Sequence, residues 1–138
     1  MKIAVGVAED KKELRQSLVT NLGYYPNINV KFSSPNGHHA VQECYIHRPN
    51  VVLMDIEMPV LNGIEATRRI CEKQPNTKII MLTMFDDDEQ VMDAILAGAN
   101  GYLLKGVHPS KIVDAMIDLM NGGAPMSPSI AIKTLNLL

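Results

Sequence analysis

Apolar positions along the chain follow two rhythms that alternate from one end to the other. Ile3 to Ala8 is a nearly unbroken apolar run, as expected of a strand buried on both faces. Leu14, Leu18 and Leu22 then recur at four-residue steps, a helical stripe that stops at Gly23. Residues 29–33 alternate weakly and predict a second, more exposed strand, closed by Pro35-Asn36-Gly37. Ala40, Val41, Cys44 and Tyr45 mark a second helix that ends before Pro49. Val51-Val52-Leu53-Met54 is the strongest buried-strand signal, and a turn over residues 59–63 leads into a third helix carrying Ile64, Thr67, Ile70 and Cys71 inward. Lys78 to Thr83 predicts strand four, Val91, Ile95 and Leu96 helix four, and Gly101 to Leu104 strand five. Ile112, Ala115, Met116 and Leu119 give helix five the i, i+3, i+4, i+7 spacing of an inward face. A second stripe on the same helix, Val113, Ile117 and Met120, needs another partner: helix one or four, the tail from Ile130 to Leu138, a second copy or a further domain. Past Asn121-Gly122-Gly123, Ser127-Pro128 reads as the cap and first residue of a short helix whose apolar edge is Ala131, Leu135 and Leu138.

Five strand–helix pairs in succession predict an α/β domain: a doubly wound, five-stranded parallel sheet with helices on both faces and right-handed crossovers. Composition agrees with one folded unit. The chain has 138 residues, 46% of them hydrophobic and 20% charged, which excludes a disordered chain. Thirteen basic against fifteen acidic residues leave a net charge of −2, so no broad positive field is present to hold nucleic acid or an anionic membrane. Cys44 and Cys71 have neither metal-ligand spacing nor close pairing, which suits a reducing compartment. No apolar run approaches the roughly 20 residues of a membrane span. The expectation is a soluble, cytoplasmic domain with no membrane partner.

In open α/β sheets, ligands bind beyond the carboxyl ends of the strands. Strand one ends at Glu9-Asp10, strand three at Asp55, strand four at Thr83 and strand five at Lys105. Three carboxylates, a hydroxyl and an amine therefore converge on one edge. An acid after a strand is by itself usually a helix cap, and a lysine there is usually solvated; five such groups in register are harder to explain that way. Crowded carboxylates repel, so one of them holds a proton or a hard cation neutralises them. An oxygen-only set suits Mg²⁺, which keeps several waters and favours phosphate partners, whereas zinc would want histidine or cysteine. A carboxylate beside such a cation, a lysine and a hydroxyl can take up a phosphoryl group as an acyl phosphate, with Asp55 as nucleophile. Open beside this are a Mg²⁺-dependent phosphatase with an aspartate nucleophile, a flavin- or nucleotide-binding module, and a scaffold that binds partners without phosphate. The acids of residues 86–89 open helix four and are read as complementing its positive end rather than as a second metal site. The four histidines show no ligand spacing and are expected at the surface or as caps.

Glu9-Asp10, Asp55-Ile56-Glu57-Met58-Pro59 with Gly63, Leu82-Thr83 and Tyr102-Leu103-Leu104-Lys105, taken in order, resemble the receiver domain of bacterial two-component response regulators. Phe85-Asp86-Asp87-Asp88-Glu89 and Ala97-Gly98-Ala99-Asn100-Gly101-Tyr102 are similar to the NarL/FixJ (LuxR-type) subfamily. The resemblance spans residues 1–122 and implies a flavodoxin-like (βα)5 fold with strand order 2-1-3-4-5, residues 123–138 beginning a linker toward an absent C-terminal helix-turn-helix domain. It implies Asp55 as phosphoacceptor, Asp10 as direct Mg²⁺ ligand, Glu9 as a ligand through water, and the backbone carbonyl of Glu57 as a further ligand. Thr83 and Lys105 would contact the phosphoryl oxygens, and Tyr102 would be the switch aromatic. The implied partners are a sensor histidine kinase and, on phosphorylation, a second copy, with DNA reached only through the output domain. Such a protein is a phosphorylation-dependent signalling switch rather than an enzyme. Two departures stand out: Gly106 follows Lys105 where the family often has a cis proline, and Met84 follows Thr83 where a smaller residue is frequent.

Overall fold

The computed structural model describes residues 2–138. Strands β1 (Ile3–Ala8), β2 (Ile28–Ser34), β3 (Val51–Met54), β4 (Lys78–Thr83) and β5 (Gly101–Leu104) alternate with helices α1 (Lys12–Leu22), α2 (Gly37–His47), α3 (Gly63–Lys73), α4 (Asp88–Ala97) and α5 (Pro109–Met120), and α6 (Pro128–Leu137) follows. All pairings are parallel and the order is β2-β1-β3-β4-β5. This is the doubly wound topology that the alternation predicts. Pairing carries Ala8 opposite Met54, Met54 opposite Met81, and Met81 opposite Tyr102. The carboxyl ends of four strands therefore finish at nearly one level, and the residues that follow them share one rim.

Side chains on successive strand residues point to opposite faces, so the apolar runs feed two cores. Val52, Met54, Ile79, Met81 and Tyr102 pack with Ala40, Cys44, Ala66, Ile70, Val91 and Ala94 of α2, α3 and α4. Val5, Val7, Leu53, Ile80, Leu82 and Leu103 pack with Leu22 of α1 and with Ile112, Val113, Ala115, Met116 and Leu119 of α5. One irregularity, a register shift between Val5 and Gly6, falls where a Cβ on Gly6 would meet the Phe32 ring at 2.1 Å. Glycine lets the ring lie across the strand.

Some expected inward residues face solvent. Leu14, Tyr45 and Leu96 are 47%, 63% and 74% exposed. On α4 the small residues Ala94 and Ala97 take the inward positions, which lets the helix lie close to the core and turns Leu96 outward. β2 is one residue longer at each end than the alternation suggests. Gly37 belongs to α2 rather than to the preceding turn, because the Asn36 side chain accepts from His39 N and caps the helix there. On α5 the second stripe stays within the fold: Val113 is buried, and Ile117 and Met120 pack against the same core as α1.

The residues after Gly123 do not trail away. Tyr102 pairs with Met126, and α6 rests on α4 with Ile130 fully buried. The expected edge of α6 faces outward instead, with Leu135 and Leu138 exposed. Ser127 stands at the N-cap of α6 but makes no side-chain cap bond; its Oγ accepts from Leu104 N at 3.0 Å and so serves β5.

Candidate functional site

Glu9 leaves β1 with its backbone N–H bonded to Ser34 O of β2 at 2.9 Å, which keeps the residue at the rim. Its Oε2 accepts from Lys11 N at 3.0 Å, and Lys105 Nζ donates to Oε1. Asp55 continues β3 through a bond from its N–H to Ala8 O at 3.0 Å. Asp55 Oδ1 accepts from Ile56 N at 2.8 Å, and Lys105 Nζ donates to Oδ2 at 2.7 Å. α3 begins against this strand end: Gly63 N donates to Ile56 O at 2.7 Å, and a Cβ on Gly63 would fall 1.7 Å from Asp55 O. Only glycine permits that approach. The turn that makes it possible holds Val60 at φ +72°, a conformation disfavoured for a β-branched residue.

Glu9, Asp10 and Asp55 each present a carboxylate oxygen, and these oxygens lie within 4.8 Å of one another. Glu9 and Asp55 are buried and Asp10 is exposed. Burial pushes the Glu9 carboxyl above its ordinary 4.5, and this outweighs the bonds from Lys105 and Lys11 that favour its charged form. For Lys105 the balance is reversed: burial works against its charge, but the bonds to Asp55 and Glu9 win and hold it above 10.5. A crowded acid set with one ammonium inserted is therefore the resting arrangement. An oxygen-only donor set at this spacing fits a hard divalent cation such as Mg²⁺, with Glu9, Asp10 and Asp55 as its holders. In front of Asp55 lies an open cavity of about 390 Å³ lined by Asp10, Lys11, Glu57, Met84, Phe85 and Lys105. It has room for a phosphoryl group.

Four of the expected site residues thus meet, and Glu57 lines the same cavity. Thr83 and Tyr102 stand behind it. Thr83 is fully buried, and its Oγ1 accepts from Phe85 N at 3.3 Å. Tyr102 is buried on the side away from Lys105, and its hydroxyl donates to Phe85 O at 2.6 Å; burial pushes the phenol up. Gly106 takes φ +97°, and there is no cis peptide among the described residues, so the loop after Lys105 turns on glycine freedom. Met84 is exposed at the mouth of the cavity. Asp87 caps α4 by accepting from Gln90 N, and His108 caps α5 by accepting from Ser110 N.

One residue and one backbone role escape a reading of the sequence. Arg15, in the first turn of α1, donates through Nη1 to Glu9 O at 2.8 Å and Asp10 O at 3.3 Å, pinning the loop that carries both acids. Its position after the acid pair gives no periodic or motif signal. Phe85 falls at a position that the family resemblance ties to acyl-phosphate lifetime, but what the sequence does not show is the role of its backbone, whose N–H and C=O bond Thr83 Oγ1 and the Tyr102 hydroxyl.

The sequence profile described as response regulator receiver domain matches residues 5–117. Among curated proteins, the transcriptional regulatory protein LnrK of Bacillus subtilis is 34% identical over 97% of this chain and 61% of its own length. The transcriptional regulatory protein LiaR of the same organism is 36% identical over 99% of this chain and 64% of its length. The chain thus spans less than two thirds of these relatives. Among solved structures, a LuxR-family two-component response regulator from Aurantimonas superposes with a TM-score of 0.91 at 26% identity, covering 99% of this chain and 97% of that one. The signal receiver domain of the response regulator NarL from Mycobacterium tuberculosis gives 0.83 at 28% identity, over 88% and 98%.

Proposed function

This chain belongs to the response regulator receiver family, of the LuxR/NarL kind, and on that premise we propose that Asp55 accepts a phosphoryl group from the phosphohistidine of a sensor kinase. The observation that carries the reading is the arrangement at the rim: Asp55 faces an open cavity, with Glu9 and Asp10 beside it and the Lys105 ammonium on its Oδ2. An Asp55 oxygen attacks phosphorus, the phosphorus–nitrogen bond to the donor imidazole breaks, and the imidazole keeps the electron pair and takes a proton from water. Glu9, Asp10, Asp55 and the backbone carbonyl of Glu57 would hold Mg²⁺, and the bound ion would supply the positive charge that lets an anion approach these acids. Lys105 moves from bridging Glu9 and Asp55 to contact a phosphoryl oxygen, keeping its charge throughout. Thr83 is the nearby hydroxyl donor for a second oxygen. Drawing it forward withdraws the acceptor that Phe85 N now uses, and Tyr102 registers the change through Phe85 O.

The chain assists its own phosphorylation and dephosphorylation and turns over no separate substrate. In the longer protein that the relatives imply, the changed surface drives pairing with a second copy and an attached helix-turn-helix that binds DNA, with residues 1–122 as receiver and 123–138 leading toward the output. Support for that output comes from the names of the relatives: several are transcriptional regulatory proteins, and one solved neighbour is a DNA-binding response regulator of Staphylococcus aureus. Among the described residues no helix is long and apolar enough to cross a membrane, in keeping with a cytoplasmic role.

Incubation with Mg²⁺ and acetyl phosphate, followed by intact mass, tests the reading. A single added phosphate that requires Mg²⁺ and is lost in Asp55→Asn is expected. Labelling of the Asn variant equal to that of the native chain, or release of phosphate with no acyl-phosphate adduct at any time point, would overturn it.

A further inference from the structure

Residues 124–127 lie along the free edge of β5 and extend its pairing. Tyr102 N donates to Pro125 O at 2.9 Å, Ser127 N donates to Tyr102 O at 3.0 Å, and Leu104 N donates to Ser127 Oγ at 3.0 Å. The approach is close enough that a Cβ on Gly101 would meet Pro125 O at 2.8 Å. In the first turn of α6, Ile130 is fully buried in the same core as Tyr102, Val91 and Ala94, and Lys133 reaches Asp88 of α4 at 3.3 Å. Tyr102 is therefore held along its backbone by the C-terminal segment. Its hydroxyl in turn holds Phe85 O, Phe85 with Met84 walls the cavity in front of Asp55, and Phe85 N sits on Thr83 Oγ1.

We infer that Ser127 and Ile130 are positioning residues for the phosphoacceptor site, acting on it through Tyr102 and Phe85. Neither touches the cavity. Docking of the segment fixes the Tyr102 backbone, the phenol fixes the Phe85 peptide, and that peptide sets both the wall over Asp55 and the resting place of the Thr83 hydroxyl. The inference rests on reading Asp55 as the phosphoacceptor. Coupling of this kind runs both ways: if docking favours one position of Thr83, a phosphoryl group that favours another must weaken docking. A C-terminal helix that only adds packing would change the stability of the fold and leave both the chemistry of Asp55 and the response of α6 to phosphate untouched.

The test uses the full chain with acetyl phosphate and Mg²⁺, reading the labelling rate and the acyl-phosphate half-life by intact mass. Hydrogen exchange over residues 128–137 is followed with and without beryllofluoride as the phosphoryl mimic. Ile130→Ala should raise exchange over α6 and shift labelling rate or half-life by roughly three- to thirtyfold, while Lys133→Gln at the exposed ion pair shifts neither by more than about twofold. In the unaltered chain, beryllofluoride should raise exchange over the same residues. Unchanged kinetics in a variant whose α6 is freed overturns the inference, as does unchanged exchange at saturating beryllofluoride. Should Ile130→Ala not fold, Ser127→Ala removes one hydrogen bond from the same contact and carries the same two readouts. A native chain that takes no phosphate fails at the first measurement and overturns the phosphoacceptor reading itself, whereas a labelled chain with uncoupled α6 overturns only this inference.

Discussion

Lys105 and Tyr102 stand three residues apart at the end of β5 and are held by opposite physics. The lysine sits at the rim, bonded to two carboxylates that are crowded with a third beside an open cavity. The tyrosine lies in the core, surrounded by apolar side chains and satisfied by one hydrogen bond to a backbone carbonyl. At the rim, charges of one sign are gathered at a cost that a single ammonium offsets, so the region responds to protons, salt and cations. In the core, volume and shape decide, and the region is indifferent to pH across the neutral range because the phenol is pushed up by burial. A switch needs both: a place where adding one charge changes the energy, and a packed element with discrete positions to express that change.

The comparison is broken most severely from the core side. Tyr102→Ala removes a ring that is only 1% exposed and leaves a cavity facing Ile130, Val91 and Ala94. A loss of about 3–5 kcal/mol is expected in urea unfolding, a value typical of aromatic truncation in a close-packed core. If the core reading is right, the loss stays constant from pH 5 to pH 8 in metal-free buffer. A loss that varied steeply over that range would mean that the tyrosine belongs electrostatically to the rim.

The two regions were unequally legible in the sequence. The five strands and the acids, hydroxyl and lysine at their ends can be found because period-two and period-3.6 patterns locate strand ends, and strand ends of a parallel sheet share one edge. Residues 78–83 and 101–104 form β4 and β5 with the expected bounds. What could not be read is which face of a helix wins when apolar residues occupy both. Leu96 was expected inward, yet Ala94 and Ala97 are buried, since close approach of α4 depends on small side chains rather than on hydrophobicity. The same ambiguity hid Ile130 behind the more regular Ala131, Leu135 and Leu138. Arg15 and the backbone role of Phe85 were invisible for another reason: each acts through backbone carbonyls or amides, and such partners leave no trace in residue identity.

A smaller effect is expected from cutting the rim's one internal cation. Lys105→Met keeps the aliphatic stem but leaves Glu9 and Asp55 buried and facing each other without an ammonium. Losing one partner of a charged hydrogen-bonded group costs about 1–3 kcal/mol at pH 7, with the lower end favoured because the cavity admits water. The Glu9 carboxyl is raised by burial even with the ammonium bonded to it and becomes easier still to protonate without it, so this loss should shrink as the pH is lowered through the ordinary carboxylate range. Excess Mg²⁺ should also restore part of it, since the acids that hold the ion remain. Chemical denaturation in chelator and in Mg²⁺, at pH 4.5 and pH 7, separates the two rescues. A loss equal under all four conditions would show that the lysine contributes packing alone.

The finest test asks whether Glu9, taken by itself, costs the metal-free fold anything. Its carboxyl is raised above 4.5, chiefly by burial. Below that value the group is protonated in both states and contributes no difference. As the pH rises, the unfolded chain releases the proton first, while the folded chain must either keep it or ionise at a penalty. Stability therefore falls with rising pH until the folded group has ionised as well, and the penalty stays constant above that point. Gln at this position resembles the neutral acid and has no proton to lose. The Glu9→Gln chain should accordingly match the native one near pH 4 and exceed it at pH 7 in chelator, by less than about 1 kcal/mol because the lost Lys105 bond offsets part of the gain. With Mg²⁺ the order should invert. The native chain gains about 2.7 kcal/mol at a hundredfold excess of the ion over its dissociation constant, and the Gln variant, one carboxylate short, gains less. If the variant were instead weaker than the native chain in chelator at pH 7, the ion pair with Lys105 would outweigh burial, and the rim would be a stabilising cluster rather than a strained one awaiting a cation.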